Sequence, residues 1–258
     1  RLCAEDPADA FLPRSGTVLD WRPEPLARCD HALAAGLEIS PYYDSMLAKL
    51  IVHGTSRAEA LDRLALALDR TVLLGVTSNR AFLARVLRHT AFADGAAVST
   101  AFIERHFPLD ADRATVPDDV AWSLAAWLSV AAAPESAAAA GSPWRQWTNG
   151  LPLPAPWRLA WQATEREGRI GLSPGSARVE CSGTAKTVVG APACPVSDGQ
   201  VEIDGASVAY RYAWSGSTLW LHLRDGDFAF DCQRRQPRRS AADRTARTHE
   251  VRAAINGR

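Results

Sequence analysis

The residues best equipped for chemistry lie in two short runs. The chain opens on Arg1-Leu2-Cys3-Ala4-Glu5-Asp6-Pro7, and Tyr42-Tyr43-Asp44-Ser45-Met46-Leu47-Ala48-Lys49 leads into the apolar Leu50-Ile51-Val52. A guanidinium keeps its charge at any working pH and offers a planar fork of N–H donors, so Arg1 suits an oxyanion. Glu5 and Asp6, just ahead of a proline, read as turn carboxylates rather than an acid–base pair. Cys3 has no base near it in sequence and does not read as a nucleophile. Asp44 and Lys49 can pair across a bend or find other partners, and the apolar setting predicts a buried ammonium at Lys49.

Other chemistry is disfavoured. The histidines at 31, 53, 89, 106, 222 and 249 form no H-x-x-x-H or H-E-x-x-H grouping, so no metal site is expected. Gly168-Arg169-Ile170-Gly171 reads as a hairpin signal, not a phosphate loop. Basic and acidic residues balance at 29 each, which steers the chain toward neither nucleic acid nor an anionic membrane. Its apolar runs fall short of the ~18 residues a membrane span needs. Five cysteines, odd in number and never spaced C-x-x-C, suit reduced thiols. Of nine tryptophans, eight fall between 122 and 220, where a packed core is the expected use.

These residues need elements to hold them. Strands are expected at 17–21, 27–33 and 46–53, between proline and glycine punctuation. Ser56-Arg57-Ala58-Glu59 reads as a capping box, and Leu61, Leu64 and Leu68 continue it as an apolar helical stripe. Val72-Leu73-Leu74 is a short strand ended by Gly75. Ser78 or Asn79 should cap a helix reaching 89, and Ser99 or Thr100 another over 101–106. Residues 108–117 form a charged, proline-bounded linker.

Beyond it, Asp118-Asp119 opens a helix over 120–132 that is apolar on nearly every side, and such a helix has to be enclosed. Residues 133–141 read as an alanine-rich loop. From 144 to 232 the period becomes two, with strands at 157–163, 178–181, 200–203, 208–212, 218–223 and 228–232. Turn signals fall at Glu167-Gly168, Ser173-Pro174-Gly175, Asp198-Gly199, Asp204-Gly205, Ser215-Gly216 and Asp225-Gly226. This predicts an antiparallel barrel wrapped around the apolar helix. Residues 233–248 hold six arginines without large apolar residues and read as a solvated tether.

Arg1 to Pro7, Phe11-Leu12-Pro13-Arg14-Ser15-Gly16 and the run from Tyr42 to Gly54, in that order, resemble the C-terminal part of a biotin carboxylase. The resemblance implies an α+β, mixed sheet-and-helix domain over 1–109, then a linker over 110–117. It implies that Arg1 is catalytic, binding bicarbonate and stabilising negative charge on the ureido oxygen of biotin. Arg28 falls near the family's dimer contact, with a surface salt bridge as the equal alternative. Thr100 borders the adenine of ATP in the family, although N-capping accounts for it without a ligand.

Residues 118–232 resemble the helix-in-barrel domain of biotin-bearing acyl-CoA carboxylase subunits, which joins carboxylase to carrier and docks the carboxyltransferase (beta) subunit. A flexible basic tether over 233–250 follows, and 251–258 resemble the opening of a biotinyl carrier domain, lacking its usual proline and methionine. Asn256-Gly257, Ile39-Ser40-Pro41 and 101–107 lean toward the methylcrotonyl- or geranyl-CoA type.

The whole enzyme would use ATP, Mg2+ and bicarbonate to make carboxyphosphate and carboxylate biotin for transfer to an acyl-CoA. The ATP-grasp lobe, the magnesium carboxylates and the biotinylated lysine lie outside these residues, so no turnover is expected of them alone. The resemblance further implies homo-oligomeric contacts through the carboxylase domain, and a location in the bacterial cytoplasm or the mitochondrial matrix. A non-catalytic scaffold, or a pyruvate or urea carboxylase relative, are the alternatives.

Overall fold

In the computed structural model, the described residues are 1–96, 98–108, 116–132, 154–173, 175–181, 183–190 and 197–233. The expected loop at 133–141, Trp144, Trp147, most of the linker, and everything in the tether and carrier-like end beyond Gln233 lie outside them.

Short strands dominate the first unit. In chain order they are β1 (Leu2–Cys3), β2 (Glu5–Asp6), β3 (Leu12–Pro13), β4 (Gly16–Thr17), β5 (Asp20–Arg22), β6 (Arg28–His31), β7 (Glu38–Ile39) and β8 (Met46–Ile51). Helix α1 (Arg57–Arg70), β9 (Val72–Leu74), α2 (Arg80–Arg88), α3 (Thr90–Asp94) and α4 (Phe102–His106) complete it. β1, β8 and β6 make a three-stranded antiparallel sheet, with β2–β3, β4–β7 and β5–β9 as separate pairs. The strand expected at 17–21 is broken in two: Val18 is fully buried and bonds to the Gly36–Leu37 turn, while Asp20 pairs with Leu74.

Ser56 caps α1 by accepting from Glu59 N at 3.2 Å. The return bond of the expected capping box goes elsewhere, because Glu59 Oε2 accepts from the backbone N and hydroxyl of Thr55 at 2.7 and 2.6 Å. Neither Ser99 nor Thr100 caps α4 through a side chain; Ala101 holds that position.

The second unit begins with α5 (Asp119–Ala131), capped by Asp118, whose carboxylate accepts from Ala121 N at 2.8 Å. Its residues from Ala121 to Leu128 are all buried, Ser123 included. Around it run β10 (Ala155–Trp161), β11 (Thr164–Ser173), β12 (Ser176–Cys181), β13 (Thr184–Val189), β14 (Ser197–Ile203), β15 (Ala206–Ser215), β16 (Thr218–Leu223) and β17 (Gly226–Cys232). These eight form a closed antiparallel barrel in sequential order, with β10 returning to pair with β17. The alternation is plain in β12, where Ala177, Val179 and Cys181 point to the core and Arg178 and Glu180 to solvent. Trp122, Leu124, Trp127 and Leu128 of the helix share one apolar cluster with Leu159, Ile170, Tyr212, Leu221 and Phe230 of the wall. The helix fills the barrel, as its all-round apolar character requires.

Three expected turn signals turn out to be strand interior. Glu167-Gly168 and Gly168-Arg169-Ile170-Gly171 lie within β11, and Asp198-Gly199 within β14. The glycines there serve close approach. A Cβ on Gly168 would stand 1.8 Å from Glu180 O, and one on Gly199 would stand 2.2 Å from the Tyr210 ring. β11 and β13 were not anticipated, because charged and small residues blur their alternation.

The outer face of β15–β17 is covered by the first unit. Ala213 and Trp220 pack on Val72, Leu74 and Leu19. Around this apolar contact, Arg211 pairs with Asp20, and Asp69 takes both Arg88 and Arg224.

Candidate functional site

Strand β1 carries Arg1 to the rim of an open groove of about 680 Å³, lined also by Lys49, Thr55, Arg57 and Leu61. Arg1 is exposed, whereas Leu2 and Ala4 beside it are fully buried, so the chain is anchored immediately behind the guanidinium. β1 pairs with β8 through Leu2–Ala48 and Cys3–Met46, with an irregular register between the two. Its other side is held by Asn79, which accepts from Cys3 N at 3.0 Å, donates backbone N–H to Cys3 O at 3.1 Å, and donates Nδ2 to Arg1 O at 3.4 Å. Arg57 turns its guanidinium to Ala93 O at 3.2 Å and Phe92 O at 2.5 Å, so Arg1 and Lys49 are the lining cations left to suit an anion.

Glu5 and Asp6 have structural partners. Ser45 Oγ donates to Glu5 at 2.6 Å, while Asp6 caps the turn at Pro7–Asp9 through Ala8 N at 3.0 Å and takes Arg14 at 3.0 Å. Burial first, then the Glu5 charge, pushes the Cys3 thiol up, which removes nucleophile character. Lys49 is exposed and stands opposite Asp30 on β6, against the expected burial; β8 is the central strand of its sheet, but Lys49 shares the strand's open face with the exposed Ile51. Asp44 accepts from Met46 N at 2.7 Å, a local turn bond rather than a pair with Lys49. Tyr42 and Tyr43 are exposed on the loop ahead of β8.

Arg28 and Asp30, two residues apart on β6, form a bidentate surface pair at 2.9 and 3.1 Å. Thr100 is exposed in the turn before α4, and its side chain contributes no cap. The structure brings Arg1 and Lys49 to one groove and leaves Arg28 and Thr100 outside its lining. Asn79 was read only as a helix cap, and a sequence offers no signal for an amide turned back onto a strand 76 positions away. Arg80 was missed altogether. It is fully buried and reaches Asp227, Leu68 O and Leu223 O.

Among the described residues no His, Cys, Asp and Glu group of three or more could hold a metal, and no helix is long and apolar enough to cross a membrane.

Residues 1–105 match the family model described as the biotin carboxylase C-terminal domain. Over 113 residues the chain is 42% identical to the human mitochondrial propionyl-CoA carboxylase alpha chain, covering 42% of this chain and 15% of that one. It is 36% identical over 115 residues to a biotin carboxylase of Halalkalibacterium halodurans, covering 44% of this chain and 25% of that one. Among solved structures, the biotin carboxylase domain of the Hydrogenobacter thermophilus 2-oxoglutarate carboxylase, in complex with MgADP, ADP and bicarbonate, is 36% identical. That match covers 41% of this chain and 24% of the other, at a TM-score of 0.40. The chain thus spans a quarter or less of the length of these relatives. The mixed sheets and helices of the first unit are those of a biotin carboxylase C-terminal domain, and a closed eight-stranded antiparallel barrel follows it.

Proposed function

We propose that this chain is part of the biotin-bearing alpha subunit of an acyl-CoA carboxylase. In this reading ATP and bicarbonate are used to carboxylate biotin, which a carrier delivers to a carboxyltransferase partner. Arg1 is its catalytic residue here, binding bicarbonate and the ureido oxygen of biotin. The supporting observation is the position of Arg1: exposed at the rim of a cationic groove, on a strand whose next residue is fully buried. The described residues contribute donors for an anion but no phosphate-cradling loop, so ATP and Mg2+ fall mainly to other parts of the subunit. Thr100 as a nucleotide neighbour and Arg28 as a dimer contact belong to the same proposal.

The test is bicarbonate-dependent ATP cleavage with free biotin by the full-length subunit. An R1A variant should lose at least about a hundredfold in kcat/KM, in line with removal of a charge-stabilising donor. Parental activity in R1A would end the assignment. The 258 residues alone should show no turnover, and measurable turnover would contradict that expectation.

The finer reading is a methylcrotonyl- or geranyl-CoA type, supported by Asn256-Gly257 and Ile39-Ser40-Pro41. Its test is the assembled complex's preference between 3-methylcrotonyl- and propionyl-CoA. A scaffold reading draws on the helix-filled barrel, whose interior is spent on packing and whose outer surface away from β15–β17 remains for docking. Deletion of 118–232 should abolish co-purification of the carboxyltransferase subunit in either case; retention of ATP cleavage by Arg1-substituted enzyme would favour the scaffold.

A further inference from the structure

We infer that Asn79 is a positioning residue for Arg1. The inference rests on the catalytic reading of Arg1 proposed above, and extends it to a residue that touches no substrate.

β1 is only two residues long, and its pairing with β8 is irregular between those two residues. A strand so short is held weakly by sheet bonds on one side alone. On the opposite side no further strand lies among the described residues. Asn79 stands in its place and offers three bonds to three consecutive peptide groups' worth of backbone: from Cys3 N, to Cys3 O and to Arg1 O. The amide orientation is consistent at both ends, since Oδ1 can only accept and Nδ2 can only donate.

Two further features point to a dedicated role. Asn79 occupies the N-cap position of α2, yet its side chain makes no cap bond to that helix. An asparagine at a helix start ordinarily satisfies a free N–H of the first turn. Here that contribution is forgone and the amide is turned onto β1. In addition, Asn79 is buried, at 7% exposure, so its polar atoms depend on these partners. The carbonyl that Nδ2 grips belongs to Arg1 itself, one bond from its Cα. Through it the root of an exposed, otherwise flexible guanidinium side chain is fixed relative to α2 and the groove.

A catalytic group displaced by about 1 Å can lose on the order of a hundredfold in rate. In the full-length enzyme, N79A should therefore raise KM for bicarbonate and lower kcat, together costing at least about tenfold in kcat/KM, with KM for ATP unchanged. N79D, equal in shape, keeps an acceptor for Cys3 N but cannot donate to Arg1 O, and should fall between parent and N79A. Should N79A fail to fold, N79D decides. The diagnostic measurement is the double variant: on an R1K background, N79A should add less than about twofold, because the group it positions is already compromised. Multiplying effects in the double variant, or parental kinetics for both N79A and N79D, overturn the inference while leaving Arg1's role intact. Parental kinetics for R1A would overturn the catalytic reading, and the inference with it.

Discussion

Arg80 and Asp227 are 147 positions apart in sequence and form a two-pronged ion pair, Nε to Oδ2 at 2.7 Å and Nη2 to Oδ1 at 3.1 Å. The arginine starts α2 of the first unit; the aspartate lies on β17 of the barrel. Two further donors of Arg80 are taken by Leu68 O at 3.0 Å and Leu223 O at 3.2 Å, and His222 Nδ1 approaches Asp227 at 2.6 Å. A fully buried guanidinium is tolerable only with an ion pair and hydrogen bonds of this kind. R80A should destabilise the protein by about 3–5 kcal/mol, because it strands a carboxylate and two carbonyls. An R80M/D227L pair should recover most of that loss. Urea unfolding of the three variants checks this, and a loss under 1 kcal/mol in R80A would refute it.

The same pair carries a pH signature. Burial raises the Asp227 carboxyl, but the Arg80 and His222 charges and their hydrogen bonds prevail and hold it below the ordinary 3.8. A depressed carboxyl contributes stability above its unfolded value and loses it as pH falls through the folded one. The urea midpoints of parent and D227N should therefore differ at pH 7 and converge below pH 3.8. A gap that stays constant into acid would show that ionisation of Asp227 is not the source.

Two glycines of one strand should behave oppositely. A Cβ at Gly168 meets Glu180 O at 1.8 Å and the Trp157 ring at 2.9 Å, whereas one at Gly171 meets nothing within 4 Å. G168A should cost several kcal/mol through backbone displacement, roughly the 1–3 kcal/mol of overpacking or more. G171A should stay within about 0.5 kcal/mol of the parent. Thermal midpoints of the two variants, measured side by side, decide the matter; equal shifts would speak against the packing account.

Barrel and helix should fail together. Trp122, packed edge-on against Phe230 with centroids 4.9 Å apart, is buried between Arg166 and the wall. W122A should cost about 3–5 kcal/mol, a cavity-forming loss. Near-ultraviolet circular dichroism would show whether the barrel aromatics lose order with it, and an unchanged spectrum with native stability would contradict the enclosed-helix packing.

Cys232 should be inert in the native protein. Burial, then the Asp231 charge, pushes its thiol up to about 12. At pH 8 roughly one in ten thousand molecules carries the thiolate. Alkylation followed by mass spectrometry should label Cys232 only after unfolding, and rapid native labelling would be the contrary result.

Much of this architecture was legible in the sequence because local and global signals agreed. The run from Val120 to Val130, apolar around its circumference, had no stable place except inside other structure, and the two-residue period beyond it named the wall. The strand bounds of β16 came out as written in the alternation of Leu219, Leu221 and Leu223. What escaped were glycines that look like turns but serve close approach, as at Gly168 and Gly199, where the cause lies in a neighbouring strand. The contact between the two units was equally silent. Arg211 and His222 face outward from the barrel and are nonetheless buried, because β5, β9 and α2 lie against that side. For the groove, the residue type of Arg1 was informative, but the bonds from Asn79 to its strand were not, and the apolar run around Lys49 concealed that Lys49 sits on the open face of the sheet's central strand.

The helix at 119–131 precedes all eight staves of its enclosure in the chain, and the last of them closes against the first only at Leu159–Cys232 and Ala160–Asp231. During synthesis the plug therefore leaves the ribosome bare on every side and waits for the final stave. Until then its tryptophans are exposed apolar surface, open to association with other chains. A chain stopped at Leu223 would lack β17, and we expect it to aggregate where the complete one stays dispersed, which light scattering of the two would reveal.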